Sequence, residues 1–170
     1  MPTKKFFRQH KKWLAALSLA VLAALVFAGI AAAAPAHQKI GAIALENFMK
    51  REQIALNDQA VRLKAADDVI GTTRGWIGQL KAAGKDTSAL ESALAAYQAQ
   101  VASAHSSHDT AAAVLASPAG FDGSGKVTDA KTALQTVINA GKPLRQAHLT
   151  LVQGTIDFRT AVQNWLAANK

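Results

Sequence analysis

The chain has no cysteine. Disulfides, thiolate metal sites and a cysteine nucleophile are therefore excluded, and stability has to come from packing. Aromatic residues make up only 6% of the sequence, while alanine is abundant. Close helix contacts must then substitute for bulky core side chains. Acidic residues are missing from the first 36 positions, which carry Lys4, Lys5, Arg8, Lys11 and Lys12. No G-x-S-x-G elbow occurs, so the usual serine-hydrolase turn is absent.

What stands in the first 36 residues is as informative as what is missing. Met1–Lys12 is basic, Trp13–Ile30 is apolar apart from Ser18 and Gly29, and Ala34-Pro35-Ala36 closes a run of small residues. A basic head, an apolar middle and an A-x-A-like end form a bacterial-type export signal. The expected cleavage follows Ala36. The apolar stretch Trp13–Ala34 is 22 residues long, and about 20 suffice to span a bilayer. An uncleaved N-terminal anchor is thus the alternative. The address is extracytoplasmic either way, in the periplasm or beyond it.

Most of the formal charge of +8 belongs to that leader. Residues 37–170 hold 14 basic and 11 acidic residues. Lys and Arg are spread along the segment with acids between them, which is a solvated surface rather than a nucleic-acid patch. At about 134 residues the segment suits one domain with a modest core.

The pattern from residue 37 onward predicts three helices and no strand. The first covers roughly 40–80, with Glu46/Lys50 and Asp58/Arg62 as i,i+4 pairs. Gly71, Gly75 and Gly78 each weaken it by about 1 kcal/mol relative to Ala, so a bend or an early end is expected there. The second helix covers 88–116 and opens on a capping box, Ser88-Ala-Leu-Glu91. Its apolar positions, Leu90, Leu94, Tyr97, Val101, Ala104, His108, Ala111 and Leu115, alternate steps of four and three, a coiled-coil seam. The third covers 129–168, capped by Thr128, with a seam through Leu134, Val137, Gly141, Leu144, His148, Leu151, Thr155, Phe158, Val162 and Trp165. Pro143 predicts a kink, because the seam keeps its phase across it.

Short loops between long amphipathic helices imply antiparallel neighbours, hence an up-down-up three-helix bundle. At 1.5 Å per residue the helices are ~60, ~43 and ~60 Å long. The middle one is too short to cover its partners. The start of the first helix and the end of the third are expected to overhang, exposing apolar seams. Folding the hairpin about residue 122.5 places His108 opposite Val137 and His148 opposite Tyr97.

Gly84-Lys-Asp-Thr-Ser-Ala-Leu-Glu-Ser-Ala-Leu94, His108-Asp-Thr-Ala-Ala-Ala, and Gly120-Phe-Asp with Val127-Thr-Asp129 together resemble a group of small exported helical proteins of bacteria. The resemblance covers most of residues 45–168. It implies a helical fold and export, and brings no activity or site residues.

Four motifs carry chemistry on paper. Gly120-Phe-Asp-Gly-Ser-Gly125-Lys126-Val127 approaches the phosphate-binding G-x-x-x-x-G-K-[S/T], but Val127 replaces the magnesium ligand and no strand precedes it. As a calcium loop the same segment lacks its first ligand and its bidentate acid. His105-Ser-Ser-His108-Asp109 lines up catalytic residue types, yet consecutive helical residues point apart. His105 and His108 could share a metal ion, but two ligands do not make a site. Asp67 and Asp68 face different ways and read as surface charges. Leu149-Thr-Leu-Val-Gln153 is similar to the L-T-x-x-Q signature of small periplasmic helical stress chaperones, where it begins a helix; here it lies inside one.

The expected function is a non-enzymatic, exported helical interaction or structural protein of the bacterial envelope. No catalytic, cofactor or metal residue is assigned. The expected partner is a protein or a second copy, held through exposed apolar seams. Membrane contact is expected only through residues 13–34, if they are retained. A periplasmic chaperone holding unfolded clients is the alternative, and weak metal buffering through His37, His105 and His108 a further one.

Overall fold

A computed structural model describes residues 35–169, with side chains from residue 41 onward. The expected export signal lies almost entirely outside the described residues. Three helices follow one another: α1 (Pro35–Ala82), α2 (Ser88–Ala116) and α3 (Ala130–Ala168). No strand occurs among the described residues, only an isolated bridge between Phe121 and Val127.

The boundaries follow from local chemistry. Pro35 suits the first helical position, where its missing N–H is no loss. Gly84, with φ +73°, ends α1. The Lys85 N–H reaches Leu80 O at 3.0 Å and the Gly84 N–H reaches Lys81 O at 2.9 Å, the pair of bonds that closes a Schellman end. Gly71, Gly75 and Gly78 do not stop the helix. A Cβ on any of them would meet nothing within 4 Å, so they face solvent while Ile70, Thr73 and Ile77 are buried on the packed side. Tertiary packing outweighs the propensity cost.

Both expected caps move by one residue. Ser88 is the first residue of α2 rather than its cap. Thr87 takes the cap position and turns its hydroxyl to Glu91 Oε1 at 2.6 Å, while Asp86 Oδ1 accepts the Ser88 N–H. For α3 the cap is Asp129, not Thr128. The Asp129 carboxylate accepts the Thr132 N–H at 2.7 Å, whereas the Thr128 N–H is spent on Gly120 O.

The helices run up, down and up. Cross-helix bonds show the directions: Asp67 of α1 meets His105 of α2, and Gln59 meets His108. Gln59 also reaches Leu144 of α3, and Trp76 packs on Trp165. The α2–α3 hairpin is the closest pair, with α1 laid along both.

The seam expected on α2 is buried except His108, which is half-buried. On α3 only half of the expected seam is inside. Val137, Leu144, Leu151, Phe158 and Trp165 are buried, but Leu134 is 50% exposed. The inward positions between them are Ala133, Ala140, Ala147 and Gly154, one every seven residues. The three alanines are fully buried. A Cβ on Gly154 would collide with Gln100 Oε1 of α2. Close approach of the two backbones selects small residues and turns the larger ones out.

The expected register also fails. Tyr97 lies against Phe158, stacked at 5.0 Å, about ten residues beyond His148. The cause is the 117–129 connection. The chain leaving α2 does not turn back at once but runs beside the start of α3. Thr136 Oγ1 donates to Ala119 O, and the backbone at Gly120 (φ +82°) lies so close to Ala133 that a Cβ there would overlap it. The first turns of α3 therefore extend past the end of α2. The far end of α3 does not overhang: Trp165 is buried, and its indole N–H donates to Asp86 O at 2.9 Å.

Candidate functional site

The glycine-rich loop is occupied by the chain's own groups. Asp122 Oδ1 accepts from the Ser124 N–H at 2.8 Å, the Ser124 hydroxyl at 2.7 Å and the Lys126 N–H at 2.9 Å. A carboxylate thus fills the donors a phosphate would need. These bonds, the Lys126 N–H first, hold the Asp122 carboxyl below its usual range. Lys126 Nζ pairs with Glu46 Oε2 of α1 at 2.8 Å. That pairing lowers the Glu46 carboxyl and raises the lysine. The loop is a clamp between α1 and α3.

The histidines separate. His105 Nε2 meets Asp67 Oδ2 at 3.1 Å, while His108 Nδ1 turns to Gln59 Oε1 at 3.3 Å. They cannot share an ion in this arrangement. Asp68 pairs with Lys64 at 3.0 Å, so Asp67 and Asp68 act apart. The His37 side chain lies outside the described residues. Among the described residues no three His, Cys, Asp or Glu side chains gather as metal ligands.

Gln59 ties all three helices together. It is 6% exposed, accepts from His108 of α2, and donates Nε2–H to Leu144 O of α3 at 3.0 Å. The core divides at this layer. One cluster holds Leu63, Leu90, Leu151 and Phe158; the other holds Met49, Leu115, Val137 and Leu144. The true register brings His148 to the same level, beside Arg62, and burial followed by that cation lowers its imidazole. Glu52, half-buried against Gly141, is raised by burial. This layer gathers polar groups between the two apolar clusters, with partners other than those expected for the seam histidines.

What sequence reasoning missed is on the outside. Ile43, Ile54 and Val61 of α1 and Leu134, Ile138, Leu149 and Ile156 of α3 are exposed, and α2 contributes no large exposed aliphatic among the described residues. At ~100° per residue, the four on α3 lie about 140–160° around the helix from Gly154, which faces α2. The three on α1 lie about 120–140° from Asp67, which also faces α2. The α3 set therefore points away from α2, while the α1 set, about 140–160° from Gln59, points outward from both neighbours. Apart from Leu134 these are not seam residues, and the overhanging seam expected at the end of α3 does not exist. A period of 3.6 counted outward as well as inward would have found them.

Lys131, Lys142, Arg145 and Arg159 are the lysines and arginines of α3. They fall about 120–180° from Gly154, among the same aliphatics. None forms an ion pair among the described residues. Asp157, the single acid within α3, lies about 60° from Gly154, on the α2 side. It accepts from Gln153 at 2.8 Å. Charges that look dispersed along the sequence are sorted on this helix. No helix of the described residues is long and apolar enough to cross a membrane. No family model, curated protein or solved structure matches the chain.

Proposed function

We propose that this chain is an exported, non-enzymatic helical protein of the bacterial envelope that works by docking through the outward face of α3. The observation that supports it is the set of four exposed aliphatics, Leu134, Ile138, Leu149 and Ile156, on the side of α3 away from α2. Full burial of a large aliphatic is worth roughly 1.5–3 kcal/mol, and a docking surface recovers the part that these half-exposed side chains forgo. The leader of residues 1–36 supports the address.

A photo-crosslinking side chain at position 149 of the intact chain, activated in the producing cells, tests the reading. Adducts are expected at 149 and not at Ser103 on the exposed side of α2. Adducts at 103 but not at 149 contradict it. A chaperone is the second reading, favoured by the same basic-edged aliphatic face. It requires that the purified protein suppress aggregation of a denatured client, and that Leu149→Glu with Ile156→Glu abolish the effect.

A further inference from the structure

We propose that the surface covering the outward face of α3 is an anionic lipid bilayer, on which the bundle lies sideways. The inference rests on the docking reading above and names the occupant. Three observations choose a lipid surface over a protein or a second copy.

The first is charge. Lys131, Lys142, Arg145 and Arg159 stand among Leu134, Ile138, Leu149 and Ile156, and no acid of α3 shares that side. A basic, aliphatic helix face with its acid turned away fits anionic headgroups above an apolar interior.

The second is spacing. The aliphatics of α3 are spread over about 33 Å. Between Ile138 and Leu149 the face carries Lys142 and Arg145. A protein interface buries a contiguous core depleted of charge. A fluid bilayer needs no such core, because lipids move to receive each side chain where it stands.

The third argues against a second copy. Arg145 sits midway between Leu134 and Ile156. Any two-fold pairing of α3 centred on this stripe, parallel or antiparallel, sets Arg145 against Arg145.

The absence of cysteine makes the test clean. A single cysteine placed at Gln163, on the same side of α3, carries an environment-sensitive NBD dye in the full-length chain. A second protein carries it at Ser103. Vesicles of phosphatidylcholine mixed with phosphatidylglycerol should raise and blue-shift the emission at 163 several-fold, and leave 103 unchanged. Vesicles of phosphatidylcholine alone should do little at either position. Because the dye reports which side meets lipid, contact made by residues 13–34 does not imitate the result.

Each basic residue near an anionic surface is worth roughly fivefold in affinity, so Lys142→Gln with Arg145→Gln should shift the vesicle titration by about 25-fold. The proposal is overturned if position 163 stays unchanged with anionic vesicles, if 103 responds equally, or if the double variant titrates like the parent. Should the vesicle signal be absent while position 149 still gives protein adducts, docking stands and the lipid occupant is wrong. Should both be absent, the docking reading falls as well.

Discussion

Two stripes of α3 reverse the usual arrangement, beside a third in which Val137, Leu144, Leu151, Phe158 and Trp165 are buried in the ordinary way. Toward α2 the helix buries Ala133, Ala140, Ala147 and Gly154; away from it, Leu134, Ile138, Leu149 and Ile156 meet water. Hydrophobicity alone would place the leucines and isoleucines inside. The backbone separation decides instead. A Cβ on Gly154 would displace the Gln100 side chain, and a side chain larger than alanine at the fully buried Ala133, Ala140 or Ala147 would overpack the contact. The inward side is closed by shape, while the outward side keeps its large side chains for something else.

The largest expected effect breaks the inward side. Phe158 is buried and stacked on Tyr97, so Phe158→Ala should cost about 3–5 kcal/mol by chemical denaturation, cavity included. A loss under 1 kcal/mol would mean the α2–α3 register is wrong. Gln59→Ala comes next. It strands the His108 N–H and deprives Leu144 O of a donor, and an unsatisfied buried polar group costs about 1–3 kcal/mol. Gln59→Leu should recover part of that loss if the layer serves register more than stability.

A smaller effect has the opposite sign. Gly75 faces solvent with open space around its Cα, so Gly75→Ala should raise stability by up to about 1 kcal/mol. No change would show that α1 is frayed near its end. The smallest is a pH dependence. Burial lowers the His148 imidazole from its ordinary 6.5. Because the unfolded chain then takes up the proton more readily, stability contributed by the neutral ring is present above 6.5 and is lost as pH falls below it. His148→Leu should flatten that part of the Tm-against-pH curve. A curve unchanged by the substitution would place His148 in solvent. Carboxylates held low by their hydrogen bonds, Asp122 and Asp129 among them, add a separate loss at lower pH.

The helices and their breaks were legible because capping groups, Gly84 and the period of Leu90 to Leu115 act locally. Half of the α3 phase was not. Leu134 outscores Ala133 on any hydropathy scale, and the distance that favours alanine is a property of two helices. The register was hidden in the 117–129 connection, whose length says nothing of its running alongside α3 before turning. Chemistry suggested by the histidines and the glycine-rich loop dissolved once Asp67, Gln59 and Glu46 became their partners, each some 40 to 80 residues away in sequence. The outward face escaped notice for a plainer reason: an aliphatic residue at helical spacing is assumed to point inward.

Ala147 and Leu149 stand two residues apart on the same helix, one on each side. The most direct test measures both thermal stability and affinity for phosphatidylglycerol-containing vesicles in Ala147→Leu and in Leu149→Gln. Overpacking should cost Ala147→Leu about 1–3 kcal/mol, with vesicle affinity unchanged below its Tm. Leu149→Gln should stay within about 0.5 kcal/mol of the parent and lose vesicle affinity. The reverse pattern, with Leu149→Gln unstable and Ala147→Leu harmless, would contradict the assignment of inside and outside on which the account depends.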